Sequence, residues 1–356
     1  MDFNLTDERQ MLQDTLRRYL REKYTTNVRN GILDSETGFS PEIWSDLAEL
    51  GILGALFTED QGGFGGAGFD IAVVFEELGR AGVVEPVLDS ALLSGRLLAA
   101  AGKTEMVEDV ISGVIHLAVA HGEPGGRYDV DHVHTQANGG ALTGRKALVM
   151  NAEAADHLIV SARDGDAISF YLVARGAPGF TIQGYSLLAG GRAGEVTLDN
   201  TPASPLGLTL KDYEDATALA VVAINAETLG AMETATGLAK EYLMTRQQFG
   251  RPIGTFQALA HRMSDMLIEM EQARSAVINV AGNVDAANRD LHVSASKNLI
   301  GRIGRLVAEE AIQMHGGIAM TQEYELAHIA KRITMADHRF GDTDYHLERY
   351  IALSTN

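Results

Sequence analysis

The 356 residues, 46% of them hydrophobic, are ample for a sizeable core and for two or three compact units. Lys+Arg 29 against Asp+Glu 48 leaves a formal charge of -19, so the average surface repels nucleic acid and anionic membranes, although a few clustered arginines can still bind a small anion. There is no cysteine, which excludes disulfides, thiolate chemistry and cysteine metal sites.

Residues 1–21 mix charged and apolar positions at helical spacing, without the apolar core and cleavage site of a signal peptide. No segment reaches the ~20 uninterrupted apolar residues of a membrane span. A cytoplasmic protein is expected.

From Leu5 to about Ser112 the apolar residues recur three and four apart, first at Leu12, Leu16, Tyr19 and Leu20, then at Ile43, Leu47 and Leu50, then at Val73, Val74 and Leu78. Helices follow, one of them opening at Ser40-Pro41-Glu42 with Ser40 as N-cap and Pro41 in the first turn. The glycine cluster Gln61 to Gly68 follows no strand and has no Lys-Ser/Thr after it, so it reads as a loop between helices rather than a phosphate cradle.

Between about Val114 and Leu208 the pattern changes to short β-rich runs: Ile115 to Ala120, Ala141 to Leu142, Ala147 to Met150, His157 to Val160, Ile168 to Val173, Phe180 to Ile182 and Glu195 to Leu198. From Glu214 the helical period returns in long segments, marked by Leu219 to Leu243, Phe256 to Met270, Leu299 to Ile312 and a last helix or two ending near Asn356. Short Gly/Pro links such as Gly250 to Gly254 join them, as in an up-and-down bundle of about four helices. The expected fold is mainly α with a central β domain, divided 1–113 (N-terminal helical), 114–208 (middle β, barrel-like) and 209–356 (C-terminal four-helix bundle).

The most informative stretch is Thr245-Arg-Gln-Gln-Phe-Gly-Arg-Pro-Ile-Gly-Thr-Phe-Gln257. It puts Arg246 at the end of one helix and Phe256 with Gln257 at the start of the next, so an anion there meets a guanidinium and free helix N–H groups. A second run, Ala311-Ile-Gln-Met-His-Gly-Gly317, ends a long helix on two glycines that allow a ligand close to the backbone, with Gln313 one turn earlier.

On these two runs the chain resembles the acyl-CoA dehydrogenases, which carry a similar R-x-x-F-G-x-x-I-x-x-x-Q segment and a Q-x-x-G-G motif. The resemblance extends over nearly the whole chain, including Gln61-Gly-Gly-Phe-Gly-Gly, Phe75-Glu-Glu-Leu-Gly-Arg80, Leu142-Thr-Gly-Arg-Lys146 and Ala155 to Arg163. Arg127-Tyr128-Asp129, Phe249 to His261 and Phe340-Gly-Asp-Thr-Asp look like the family branch of pimeloyl-CoA dehydrogenase small subunits. The resemblance implies FAD as cofactor, an acyl-CoA substrate dehydrogenated at its α,β bond, a homologous subunit in a homo- or hetero-oligomer, and a flavoprotein electron acceptor. It also implies that Arg246, Gln248, Phe249, Phe256, Gln257, Gln313, Gly316 and Gly317 contact FAD held mainly by a partner subunit.

Other positions depart from the family pattern. Where it places a carboxylate base in an E-G-T-S segment, this chain reads Arg339-Phe-Gly-Asp-Thr-Asp344, and where a second branch places it, on the first bundle helix, stands Ala220. Asp342 is a weak candidate base beside the first position, and Glu227 an alternative on the bundle helix. The flavin-ring segment T-E-P-x-A-G-S-D reads Gly122-Glu-Pro-Gly-Gly-Arg-Tyr128, and W-I-T/S after Lys146 reads Ala147-Leu-Val149. The expectation is therefore a base-deficient member of a hetero-oligomer that completes a partner's FAD site. The alternatives are a self-sufficient dehydrogenase using Asp342 and a flavin-free scaffold with the same fold.

Overall fold

The computed structural model describes residues 5–355; residues 1–4 and Asn356, the extreme ends of the expected outer domains, lie outside the described residues. In chain order, helices come first: α1 (Asp7–Lys23), α2 (Thr26–Leu33), α3 (Pro41–Glu49), α4 (Gly68–Ala81), α5 (Ser94–Ala100) and α6 (Thr104–Ile111). Ser40 caps α3 as its sequence suggests, its hydroxyl accepting from Ile43 N at 3.3 Å with Pro41 in the first turn. The glycine run after Gln61 is a loop leading into α4.

The strands follow: β1 (Leu117–Ala120), β2 (Gln136–Asn138), β3 (Ala141–Met150), β4 (His157–Asp164), β5 (Ala167–Ala174), β6 (Phe180–Ser186), β7 (Arg192–Pro202) and β8 (Ser204–Thr209). They form an eight-stranded sheet among the described residues, in the order β6-β7-β3-β2-β4-β5-β8, with β1 parallel to β4 in the register Leu117↔His157 to Ala120↔Val160. β4 is central and largely buried, which accounts for its near-continuous apolar run Leu158-Ile159-Val160. Ala118, Leu142, Val149, Leu158, Val160, Val173, Val196 and Leu198 make the core of this layer.

Helices then resume: α7 (Leu210–Thr245), a two-stranded ladder of β9 (Gln247–Gln248) and β10 (Arg251–Pro252), α8 (Gln257–Asn283), α9 (Arg289–His315), α10 (Glu325–Ala336) and α11 (Thr343–Ser354). This is the helical, β, helical order that the patterning predicts.

By its contacts the chain divides into two compact units that interleave in sequence. One contains residues through Arg29, Gly68–Val83 and the chain from Val221; the other contains Asn30–Ala67 and Val84–Ala220. Within the first, α4 and α7 cross so closely that a Cβ on Gly79 would collide with the backbone oxygen of Glu227, and one on Gly230 with that of Glu76. Glycine at both positions lets the two backbones touch. Around this crossing Arg80 pairs with Glu76 at 2.8 Å and also with Glu233, and Arg17 grips Glu77 through Nε and Nη2 at 2.9 and 2.6 Å. Among the described residues no helix is long and apolar enough to cross a membrane, and no group of three or more His, Cys, Asp or Glu side chains could hold a metal ion.

Candidate functional site

The corner built by the first informative stretch is a hairpin on the end of a helix. α7 ends at Thr245, the Arg246 N–H still donates back to Tyr242 O at 2.9 Å, and the Arg246 carbonyl accepts from Ile253 N at 2.9 Å. Between them Gln248 pairs with Arg251 across the short ladder, and Phe249-Gly250 form the two-residue turn with φ of 53° and 79°. Two positive φ values suit the twist of a tight hairpin, but they suit glycine and asparagine, and a phenylalanine there is strained. Phe249 is also 90% exposed. Its ring meets Phe256 edge-on at 6.0 Å, and the Arg251 guanidinium stands 4.2 Å from the Phe256 ring. Phe256 precedes Gln257, the first residue of α8, and no side chain caps that helix, so its first N–H groups keep their positive end open.

The second run closes α9. His315 is its last residue, Gly316 takes φ of 72°, and the Gly316 N–H donates to Ile312 O. A Cβ added at Gly316 or Gly317 would find no neighbour within 4 Å among the described residues, so the bend is open at both positions. Gln313 is exposed. The structure brings the two runs together, because the rings of Tyr242 and His315 stack at 4.6 Å and 27°. Arg246, Gln248, Gln257 and Gln313 are all exposed, and none has a side-chain hydrogen bond or ion pair among the described residues. One guanidinium, three amides, an unshielded aromatic ring and an open glycine bend form a donor set for an anionic, aromatic ligand.

In the other unit, the segment Gly122 to Tyr128 and the end of β3 meet through Ala147 N donating to Gly122 O at 2.9 Å. Beneath them lies an ion pair that the sequence reading did not anticipate. Lys146 Nζ donates to Glu123 Oε1 at 2.7 Å, to Ser161 Oγ at 2.9 Å and to His121 O at 3.3 Å, with no part of the lysine side chain exposed. Glu123 also accepts from Thr135 N and Oγ1 at 3.0 and 2.7 Å and from His134 N at 2.7 Å. Burial alone would raise the Glu123 carboxyl, but the donors from Lys146 and Thr135 outweigh it and hold it at about 2. Burial pushes Lys146 down to about 8 against the pull of Glu123. The available signal was a lysine on an inward-facing position of a strand whose other inward residues are apolar.

Past Lys146 the β3–β7 register shifts before Val149, and Leu148 bulges outward with φ of 53° and 58% exposure. Its N–H donates to Glu195 Oε1 at 3.2 Å, and the same oxygen accepts from Tyr185 at 2.8 Å, which with burial raises the Tyr185 hydroxyl to about 12. Ala147, Leu148 and Val149 carry no hydroxyl, and neither does Gly122 to Arg127.

The turn between α10 and α11 is held from three sides. Lys297 Nζ donates to Asp337 O at 2.8 Å, Asn298 Nδ2 to Thr343 O at 2.9 Å, and His346 Nε2 to Phe340 O at 2.9 Å. Phe340 and Gly341 take φ of 58° and 106°. Asp342 is the N-cap of α11, its Oδ1 accepting from Tyr345 N at 2.9 Å. Ala220 is fully buried, and Glu227 is buried in an ion pair with Arg332 Nη2 at 2.6 Å.

Comparison with known proteins decides the lineage. The N-terminal domain of acyl-CoA dehydrogenases matches residues 6–116 and their C-terminal domain residues 217–352. The acyl-CoA dehydrogenase IpdE2 of Mycolicibacterium smegmatis is 30% identical over 330 residues, 92% of this chain and 93% of that protein. This chain belongs to the acyl-CoA dehydrogenase family. Among solved structures, a variant of the Tcur3481-Tcur3483 steroid ACAD superposes with a TM-score of 0.91 at 28% identity, covering 98% of each chain. The ChsE4-ChsE5 complex from Mycobacterium tuberculosis does so with a TM-score of 0.91 at 25% identity, covering 100% of this chain and 99% of that one.

The acyl-CoA dehydrogenases are flavoprotein oxidoreductases, and the two halves of this chain fit FAD unequally. The corner around Arg246 and Gly316–Gly317 has the charge, amides and open backbone that a dinucleotide's pyrophosphate and adenosine require. At Ala147, Leu148 and Val149 the wall presents apolar side chains and backbone, without the hydroxyl donors that a flavin ring's carbonyls and nitrogens can accept from. Where the sequence reading expects the family's carboxylate stands the Phe340 ring, which cannot take a proton.

Proposed function

We propose that this chain is the base-deficient subunit of a hetero-oligomeric acyl-CoA dehydrogenase and that its Arg246 corner completes the FAD site of a homologous partner. The observation that carries this reading is Phe249. A bulky ring held at φ of 53° and left 90% in water costs free energy twice, in backbone strain and in unburied apolar surface, and its edge-on contact with Phe256 leaves most of the ring uncovered. A ligand or a partner surface against the ring does.

When bound, FAD accepts the hydride leaving the β-carbon of an acyl-CoA thioester. Arg246 balances pyrophosphate charge, Gln248, Gln257 and Gln313 supply amide hydrogen bonds, and Phe249 with Phe256 covers the nucleotide's apolar face. Removal of the α-proton falls to a carboxylate of the partner, since Phe340 and Ala220 offer none, Asp342 is engaged as a helix cap and Glu227 is bound to Arg332. The electron acceptor of the assembly would be a flavoprotein. Two of the solved structures that the chain resembles are named as pairs of proteins, ChsE4-ChsE5 and Tcur3481-Tcur3483, which agrees with a two-subunit assembly.

The test is to express the chain alone and together with the homologous subunit encoded beside it, measuring bound flavin and acyl-CoA oxidation. Both are expected only from the pair. Full flavin and full activity from this chain by itself overturn the reading.

A further inference from the structure

One side chain of the second run stands between the two halves of the corner. His315 closes α9 and is 5% exposed. Its Nδ1 lies 2.8 Å from the Ala311 carbonyl oxygen, which can only accept, so Nδ1 carries the proton. That leaves Nε2, 3.1 Å from the Tyr324 oxygen, to accept the tyrosine's O–H. The Tyr324 ring is tilted against it at 5.3 Å, and Tyr242 stacks on it at 4.6 Å. Burial lowers the imidazole's pKa while the carbonyls of Ala311 and Leu238 oppose the shift.

Each anchor leads to a part of the corner. Tyr242 lies one turn before Arg246 and accepts its N–H, so the position of the Tyr242 ring is passed to the start of the hairpin. Gly316 is the next residue after His315, and the bend it begins has no other packing at its two glycine positions. Tyr324 directly precedes α10 and closes the segment that leaves the bend.

We infer that His315 is a positioning residue for the dinucleotide, holding the Arg246 end of α7 in register with the Gly316–Gly317 bend. It does not touch the ligand; it fixes how far apart two sets of donors stand. The inference rests on the reading of this corner as an FAD site, and its test separates the two.

Apo-assembly prepared from this chain and its homologous partner is titrated with FAD, followed by flavin fluorescence. The variants are His315→Leu, which removes ring and hydrogen bonds, His315→Phe, which keeps a ring against Tyr242, Arg246→Gln, and each His315 change combined with Arg246→Gln. With Arg246 present, His315→Leu is expected to weaken FAD about 10-fold or more and His315→Phe less. With Arg246→Gln already in place, the same His315 changes are expected to cost at most about a third as much on a logarithmic scale, because the guanidinium is no longer there to be misplaced. A purely structural histidine gives equal losses in both backgrounds, and that result, or no loss in either, overturns the positioning role while leaving the corner as an FAD site. If Arg246→Gln alone leaves FAD affinity unchanged, the corner does not bind FAD and the positioning role falls with it. His315→Phe keeps the test decisive if the leucine variant fails to fold.

Discussion

Lys146 Nζ and Glu123 Oε1 meet at 2.7 Å in the interior of the β layer, joining the middle of β3 to the segment that follows β1. Removing the lysine leaves the Glu123 carboxylate to the neutral donors of Thr135 and His134 alone, and breaking a buried pair from one side costs about 3–5 kcal/mol. Lys146→Met is therefore expected to lower the melting temperature of the chain markedly. The double change Lys146→Met with Glu123→Gln should recover a substantial part of that loss, and a double variant no more stable than the single one would show that the pair's charge is not what matters. Calorimetry on the three proteins decides.

Arg246 has no ion pair among the described residues and is exposed, so its removal should barely change the fold. Losing a charge-assisted contact costs about 1.5–3 kcal/mol, or about 10- to 150-fold in affinity. Arg246→Gln is expected to leave the chain's unfolding midpoint within about 0.5 kcal/mol while stripping flavin from the assembly, read by absorbance of the purified complex.

Acid should destabilise the protein earlier than its carboxylates alone predict. Burial lowers His121 to about 4, helped by the Lys146 charge, and burial likewise lowers His346 to about 4, with Lys297 and Arg349 adding to it and the Phe340 carbonyl opposing. The unfolded chain takes up a proton at each near pH 6.5, whereas the folded chain does so only near 4. Stability is thus fully present above about pH 6.5 and is lost as pH falls toward 4, by on the order of 2–3 kcal/mol for each histidine. Urea midpoints at pH 7.5, 5.5 and 4.5 should fall in that order, and the fall should shrink in a His346→Gln variant.

Asp342 separates the base-deficient reading from a self-sufficient one. As an N-cap it contributes about 1 kcal/mol, so Asp342→Ala should cost that much stability and leave acyl-CoA oxidation by the assembly unchanged. Loss of turnover with flavin retained would instead assign the base to this chain.

The motifs were readable because their chemistry needs particular residue types at fixed spacing, as in Arg246 to Gln257 and Gln313 to Gly317. The helices were readable where their buried faces are apolar. α9 begins at Arg289, well before the first apolar marker Leu299, because of its early buried positions only Val293 is apolar, while Ser294, Ser296 and Lys297 are polar and interrupt the hydrophobic period. α7 begins at Leu210, before Glu214, because Asp212 accepts from Thr209 N and Oγ1 at 2.8 and 2.7 Å and starts the helix there. β3 read as two fragments since its middle, Thr143 to Lys146, is polar in sequence although Lys146 points inward. β2 and β8 were missed: one is three residues long and polar, the other carries Pro205 and Gly207. The Lys146–Glu123 pair and the Tyr242–His315 stack join residues far apart in the chain, and although a lysine inside a strand signals a buried partner, no local pattern says which residue it meets.

The turn around Phe340 is fastened at the main-chain oxygens of Asp337, Phe340 and Thr343 by Lys297, His346 and Asn298. None of these three fastenings uses the aromatic group that the turn displays. The peptide frame is therefore a socket whose shape is set independently of its plug, and one codon could trade the ring for an acid, or an acid for the ring, without redrawing the loop. On the proposed reading, division of labour between two related subunits turns on that single position.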